Sequence, residues 1–254
     1  MASPNSHTYL VTGANRGKRS FLSLTTTYLS RPNTTVIAGV RDPSTPSSKA
    51  LSGVHRDPSS TLIIVKIDNT SATDAKTAVA FLQSEHKISK LDTVIANAAV
   101  QNLVFATLAD VDPAQVQEHL SINAIGSLLL FQAVLPLLQK ASQPKFVVLG
   151  SPIGSIGGME KRPVPMGAYG VSKTAAHYLV RKIHFENEGL IAFAVDPGFV
   201  QTASGNEAAR AFGMGEAPVP VKKSVEFLVA TIDGATRDKT SGHFPSIEGE
   251  DWAW

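Results

Sequence analysis

Residues 8–19 read TYLVTGANRGKR, and the prediction of the fold starts from this stretch. An apolar, β-branched run ends at Thr12, and a turn containing Gly13 and Gly17 follows it. A strand that passes through such a turn into a helix directs backbone N–H groups and the positive end of the helix toward one point. That geometry suits a pyrophosphate, but ordinary turns need glycine too, so the stretch alone indicates a phosphate site and a plain turn about equally.

Short β-branched runs alternate with longer amphipathic stretches along the rest of the chain. Apolar residues at helical spacing predict helices over residues 71–86, 113–140 and 169–187. Because strands alternate with helices, we expect the α/β class: one Rossmann-type domain over residues 1–254, with a doubly wound parallel sheet and helices on both faces. The seven predicted strands are Thr8–Thr12, Thr35–Gly39, Leu62–Ile67, Thr93–Ala96, Phe146–Leu149, Ile191–Val195 and His243–Ile247.

The composition excludes several classes of protein. The 254 residues include no cysteine, which excludes disulfide scaffolds, thiolate metal sites and thiol nucleophiles. A net charge of +2 gives no broad basic field for nucleic acid. The start of the chain is polar, and the apolar stretch 128–138 is interrupted by Gln132 and Pro136, so we expect no signal peptide and no membrane span. A cytoplasmic protein without a metal is therefore the expectation.

The end of the second predicted strand bears on the choice of cofactor. An acidic residue at the position of Val40 would accept hydrogen bonds from a ribose 2′-hydroxyl, which valine cannot do. Arg41 could pair with a 2′-phosphate instead. A lone arginine is more often a solvated surface residue, but Arg16 in the glycine turn could reach the same phosphate. Together the two arginines favour NADPH.

Tyr169 and Lys173 are the candidates for acid–base chemistry. Their spacing of four residues places both on one face of a helix, where an ammonium near a phenol lowers the tyrosine pKa. The same spacing also arises by chance, with a packed tyrosine beside a solvated lysine. Ser151, directly after the fifth predicted strand, could donate to a substrate carbonyl. Asn123 is a polar residue inside an apolar helix, where a kink or a backbone hydrogen bond is the alternative reading.

In their order along the chain, these motifs resemble the short-chain dehydrogenase/reductase family over essentially the whole sequence. Each motif is weak alone, whereas the ordered set at the ends of successive strands is specific. Residues 168–173, 180–187 and 196–202 and the terminal Trp254 are similar to the fungal norsolorinic acid ketoreductase-like members. The motifs are Thr12-Gly13-x-x-x-Gly17, Asp68, Asn97-Ala98-Ala99, Asn123, Ser151, Tyr169-x-x-x-Lys173 and Asp196-Pro197-Gly198 with Thr202.

The resemblance implies a role for each residue. Tyr169 would protonate a carbonyl oxygen, Lys173 would lower its pKa and bind the nicotinamide ribose, and Ser151 would polarise the carbonyl. Asn123 would hold a water in a proton relay through Lys173. Ser155 is a rival because its spacing to Tyr169 is nearer the usual one, but the local pattern after the strand favours Ser151. The implied NADPH-binding residues are Gly13, Asn15, Arg16, Gly17, Arg41, Asp68, Asn97, Tyr169, Lys173, Pro197, Gly198, Val200 and Thr202.

The glycine turn departs from the family pattern, because the chain reads Gly17-Lys18-Arg19 where relatives have Gly-x-Gly. An arginine in place of the last glycine should clash or push the helix outward. Pairing of Arg19 with phosphate could return about 1.5–3 kcal/mol, while overpacking costs about 1–3 kcal/mol. We therefore expect NADPH binding that is weakened but retained, which titrating NADPH into the protein and an Arg19→Gly variant would test. Ala99 in place of the usual glycine is a smaller change.

The leading interpretation is an NADPH-dependent keto reductase, and the resemblance implies an aromatic or polyketide-derived ketone of fungal secondary metabolism. Residues 203–219 are expected to cover this small-molecule substrate, with Phe199, Phe212 and Met214 as apolar contacts, unless they form an ordinary surface loop. The altered glycine turn motivates an alternative, a scaffold reused as a non-redox cyclase or a ligand-binding protein. The family also implies a homodimer or homotetramer, through the helices around 113–140 and 169–187.

Overall fold

A six-stranded, fully parallel sheet forms the centre of the protein, with the strand order β3-β2-β1-β4-β5-β6. The computed structural model describes residues 6–15, 22–102 and 105–254, so the predictions for Arg16, Gly17, Lys18 and Arg19 lie outside the described residues. The doubly wound parallel sheet is as predicted. Its strands are β1 (His7–Thr12), β2 (Thr34–Val40), β3 (Thr61–Lys66), β4 (Thr93–Ala96), β5 (Lys145–Leu149) and β6 (Ile191–Val195).

Helices cover both faces of the sheet because its strands are apolar on both sides. Successive side chains of a strand point to opposite faces, so Leu10 packs in the core beneath α3, α5 and α6, whereas Val11 packs in the core beneath α1 and α8. The described α-helices are α1 (Leu22–Leu29), α2 (Pro46–Lys49), α3 (Asp74–Ser84), α4 (Pro113–His119), α5 (Gly126–Leu138), α6 (Gly167–Glu186), α7 (Ala203–Ala211) and α8 (Val221–Gly234).

The seventh predicted strand, His243–Ile247, does not form. This segment pairs with the end of β6 only through one isolated bridge, between Asp196 and Ser246. Pro245 accepts a hydrogen bond from the Asp196 N–H but has no N–H of its own with which to extend a ladder. The segment therefore runs past the sheet edge and leads into a C-terminal tail, which we define as residues 245–254.

The apolar stretch in the middle of the chain lies in one continuous helical segment, Pro113–Leu138, which confirms the helix predicted over residues 113–140. Gln132 and Pro136 break the run of apolar residues but not the helix. Pro136 lies near the end of α5, where the burial of Leu137 and Leu138 offsets the missing backbone hydrogen bond. Within the described residues, Pro113–Leu138 is long and apolar enough to cross a bilayer by length and composition alone. Half of its most apolar window is buried inside the protein, and the core helices of soluble proteins meet the same criterion.

The strand order reverses between β1 and β4, the strands on either side of the crossover that follows β3. In open parallel sheets, ligands bind beyond the carboxyl ends of the strands at such a reversal. The segments that leave β1, β4, β5 and β6 at this edge carry most of the residues singled out in the sequence. A π-helical turn over Leu120–Ile125, between α4 and α5, faces the same edge through Asn123.

Candidate active site

A cavity of about 440 Å³ opens at the carboxyl ends of β4, β5 and β6. Its walls come from the segments after these strands, from the start of α6, and from α7 with the loop that follows. The chemistry-bearing residues that line it are Asn97, Ser151, Arg162, Tyr169, Lys173, Asp196 and Glu248, and its apolar residues include Val100, Ile153, Val164, Met166, Phe199 and Phe212. The structure thus brings three predicted catalytic residues, Ser151, Tyr169 and Lys173, into one cavity.

Tyr169 and Lys173 stand one turn apart on α6, as the spacing predicted. Lys173 is buried, its Nζ donates to the Leu149 carbonyl at 2.8 Å, and it lies 5.6 Å from the centre of the Tyr169 ring. Gly154 makes this approach possible, because a Cβ there would lie 2.6 Å from the Lys173 Cβ. The end of β5 and the start of α6 are therefore held against each other with the ammonium between them.

The expected lowering of the tyrosine pKa is wrong for this state of the protein. Burial raises the pKa of Tyr169 well above its usual value, the hydrogen bond with Ser151 opposes that shift, and the charge of Asp196 adds to it. Burial also lowers the pKa of Lys173 to about 8. Desolvation outweighs the attraction that the spacing suggested, so the phenol stays protonated at neutral pH.

The two candidate serines occupy different surroundings. Ser151 lines the cavity and interacts with Tyr169. Ser155 is buried, and its hydroxyl donates to the carbonyl of Ala253 in the C-terminal tail. Ser151 is therefore the serine that faces the cavity, whereas Ser155 holds the C-terminal residues.

Asn123 lies beside α6, but its described hydrogen bonds do not lead to Lys173. Its side chain accepts from the Val100 N–H at 2.8 Å and donates to the Val100 carbonyl at 3.0 Å and the Ser172 hydroxyl at 2.9 Å. Ser172 donates in turn to the Tyr169 carbonyl. The side chain therefore fastens the segment after β4 to α6, and the water relay through Lys173 stays a prediction.

A second cleft, of about 210 Å³, lies on the other side of β4. Gly13, Asn15, Arg41 and Asp68 all line it, so the structure brings these four predicted residues together. The cleft adjoins the cavity, because Asn97 lines one and Ala98 lines the other. An elongated ligand could therefore extend from one to the other across the end of β4.

Two features of the described residues fit a dinucleotide along this path. Gly13 has a φ of +63°, and a Cβ there would lie 3.0 Å from the Cα of Ala98, so only glycine allows the turn after β1 to pass so close to β4. Asn97 donates to the Thr12 carbonyl at 2.7 Å, yet no described residue donates to its buried Oδ1. A buried acceptor without a partner is costly unless a ligand or water satisfies it.

The turn after β6 forms another wall of the cavity. Pro197, Gly198, Val200 and Thr202 all line the cavity. Gly198 has a φ of +82°, and Thr202 caps α7 by accepting from the Gly205 N–H at 2.9 Å. Of the predicted apolar contacts, Phe199 and Phe212 line the cavity, whereas Met214 does not and is exposed.

Comparison with known proteins identifies the family. Residues 7–211 match the model for "short chain dehydrogenase". The chain belongs to the short-chain dehydrogenase/reductase family. It is 46% identical to a norsolorinic acid ketoreductase from Dothistroma septosporum, over 93% of this chain and 88% of that protein. A norsolorinic acid ketoreductase from Aspergillus parasiticus is 44% identical, over 95% and 88%. A crystal structure of NADPH-bound carbonyl reductase from chicken fatty liver is similar, with a TM-score of 0.82, 28% identity and coverage of 98% and 99%.

This short-chain dehydrogenase has site residues that the sequence did not reveal. Asn69 lines the second cleft and donates to the carbonyls of Ala98 and Ile122, and Gly126 makes room for it, because a Cβ there would lie 2.6 Å from the Asn69 Cβ. His177 accepts from the Ser151 N–H at 3.3 Å. A position four residues after Lys173, on the same face of α6, was the one available signal for His177.

Proposed function

We propose that this short-chain dehydrogenase is an NADPH-dependent keto reductase that acts on an aromatic or polyketide-type ketone. The observation that carries the proposal is the cluster of Tyr169, Ser151 and Lys173 at one wall of a largely apolar cavity that adjoins the second cleft. The 43–46% identity to norsolorinic acid ketoreductases supports the substrate class.

When bound, reduced nicotinamide supplies a hydride to a carbonyl carbon. Ser151 donates a hydrogen bond to the carbonyl oxygen and so stabilises the charge that develops there. Tyr169 is protonated at neutral pH because burial raises its pKa, and it gives its proton to the same oxygen. Lys173, held by the Leu149 carbonyl, places a positive charge behind the tyrosine ring as the phenolate forms.

The preference for NADPH follows from the second cleft. Val40 is buried at the end of β2 and offers no carboxylate to a ribose hydroxyl, while the exposed Arg41 lines the cleft near Gly13 and Asn15. Arg41 would pair with a 2′-phosphate. The test is kcat/KM for NADPH against NADH: Arg41→Ala should lower the preference for NADPH about tenfold or more.

NADPH consumption with a panel of acylated hydroxyaromatic and simple aryl ketones tests the function, with the alcohol product identified. Tyr169→Phe should lower kcat/KM by about 10²–10⁴-fold. Tyr178→Phe is the matched control, because Tyr178 is exposed on the same helix. If the wild-type protein consumes no NADPH with any of these ketones, and Tyr169→Phe leaves its biological activity intact, the proposal fails and a non-redox ligand-binding function is favoured.

The same helix suggests how the enzyme assembles. Val171, Tyr178 and Phe185 are exposed on α6 at intervals of seven residues, which places them on one face. Ile125, just before α5, is half exposed as well. We expect this surface to mediate a homodimer or homotetramer, and light scattering on the wild-type protein and Phe185→Glu would test it.

A further inference from the structure

The side chain of Asp196, at the end of β6, is a buried carboxylate with an unusual set of partners. It is 1% exposed, and no lysine or arginine in the described parts of the chain forms an ion pair with it. Its Oδ1 accepts from the Gly198 N–H at 2.8 Å, and its Oδ2 accepts from the Ser246 hydroxyl and the Trp252 indole N–H, both at 2.9 Å. Three donors aimed at two oxygens compensate an ionised carboxylate in place of a cation.

These hydrogen bonds join two segments that are far apart in sequence. The bond to Gly198 fixes the turn that lines the cavity and that the family resemblance assigns to the NADPH-binding residues. The bonds to Ser246 and Trp252 fix the C-terminal tail, which the sheet holds only through the single bridge at Ser246. Trp252 does not itself line the cavity, so any influence it has on the site must pass through its neighbours.

The C-terminal tail also forms part of the wall of the substrate cavity, through Glu248. Glu248 lines the cavity and accepts from Arg162 Nη2 at 2.6 and 2.8 Å, and the Arg162 guanidinium lies 5.1 Å from the centre of the Trp252 ring. The segment after Ser151 is fastened to the tail as well, because the Gly157 N–H donates to the Trp254 carbonyl at 2.9 Å. The tail thus touches both the segment after Ser151 and, through Asp196, the turn after β6.

We propose that Asp196 is a positioning residue that couples the C-terminal tail to the Pro197–Gly198 turn, so that tail contacts distant from the cofactor control its binding. The inference rests on the proposed use of an NADP cofactor but not on reduction of any ketone. Loss of the Asp196–Trp252 bond frees the turn and the Glu248 wall together, and cofactor affinity then falls along with substrate affinity.

The two tryptophans of the chain, Trp252 and Trp254, both lie in the tail, so tryptophan emission reports on this segment alone. NADP⁺ is titrated into the full-length protein, with affinity from calorimetry and emission recorded in parallel. Asp196→Asn and Trp252→Phe should each raise the Kd for NADP⁺ about tenfold. The double variant should show the same Kd as either single variant, because both substitutions break the same bond. Emission of Trp254→Phe, which retains Trp252, should respond to NADP⁺, and that response should shrink when Asp196→Asn is added.

Trp254→Phe is the matched control, because this residue lies in the same tail and stacks on Phe244, and its NADP⁺ affinity should equal that of the wild type. Hydrogen exchange of the tail without cofactor should be faster in Asp196→Asn. If Asp196→Asn does not fold, Ser246→Ala and Trp252→Phe each remove one bond and carry the test. If folded Asp196→Asn binds NADP⁺ as tightly as the wild type, the coupling is overturned. If Asp196→Asn does not fold, unchanged affinity in both Ser246→Ala and Trp252→Phe overturns it. A wild-type protein that binds no NADP⁺ would overturn the cofactor assignment as well.

Discussion

His177 should make the stability of this protein sensitive to mild acid. The side chain is 2% exposed beneath the active site, where its Nε2 accepts from the Ser151 N–H and its ring lies 4.4 Å from that of Phe244. Accepting a hydrogen bond at Nε2 requires the neutral ring, with its proton on Nδ1. His177→Gln isolates the effect of this histidine, because a glutamine amide oxygen can accept the same hydrogen bond without titrating.

The magnitude follows from the difference between the native and unfolded states. Burial, and to a lesser degree the charge of Lys173, lowers the pKa of His177 from 6.5 to about 3. Between these values the unfolded chain takes up a proton that the native chain does not, so the free energy of unfolding falls as the pH falls. At about 1.4 kcal/mol per pH unit below the unfolded pKa, lowering the pH from about 7.5 to about 5 costs about 2 kcal/mol. Any native pKa below about 4 gives the same loss.

Urea unfolding, followed by circular dichroism across this pH interval, measures the effect. Wild-type protein should lose about 2 kcal/mol more than His177→Gln on acidification. Burial also lowers the pKa of His7 and His184, but both contribute equally to the two proteins and cancel in the difference. His55→Gln, at an exposed position, should lose as much as the wild type. Equal losses in wild type and His177→Gln would refute the buried, neutral histidine.

Three further changes probe the site. Ser151→Ala should lower kcat for ketone reduction about 10²–10³-fold. Ser155→Ala should retain kcat but speed hydrogen exchange of the C-terminal tail. If Ser155→Ala lowers kcat and Ser151→Ala does not, Ser155 is the catalytic serine. Gly126→Ala places a methyl group against Asn69 and should lower the free energy of unfolding by about 1–3 kcal/mol. Titration should also show weaker NADPH binding. Unchanged stability and affinity would contradict this prediction. Lys173→Met removes a buried ammonium but also the donor to the Leu149 carbonyl, so activity should be lost while the free energy of unfolding changes by less than about 2 kcal/mol. A larger loss of stability in urea unfolding would contradict this balance.

Much of the fold was predictable because local patterns carry it. Each described strand is a short apolar run, and strand–helix alternation admits few arrangements other than a parallel sheet. The carboxyl ends of such strands meet at one edge, which is why Ser151, Tyr169 and Lys173 could be grouped from their positions in the chain alone. The prediction of a seventh strand failed at Pro245, because pattern alone did not show that a residue without an N–H would meet the sheet edge there.

Local patterns along the chain specify the parallel sheet, the edge at which the site lies and the spacing that puts Tyr169 and Lys173 on one helix face. The protonation of that tyrosine follows from the assembled structure, because desolvation depends on every segment that packs around the phenol. The assembled structure alone pairs Asp196 with Trp252, 56 residues away, and sets His177 beneath Ser151. Periodicity is a property of neighbours along the chain, whereas burial and long-range hydrogen bonds exist only once distant segments have met.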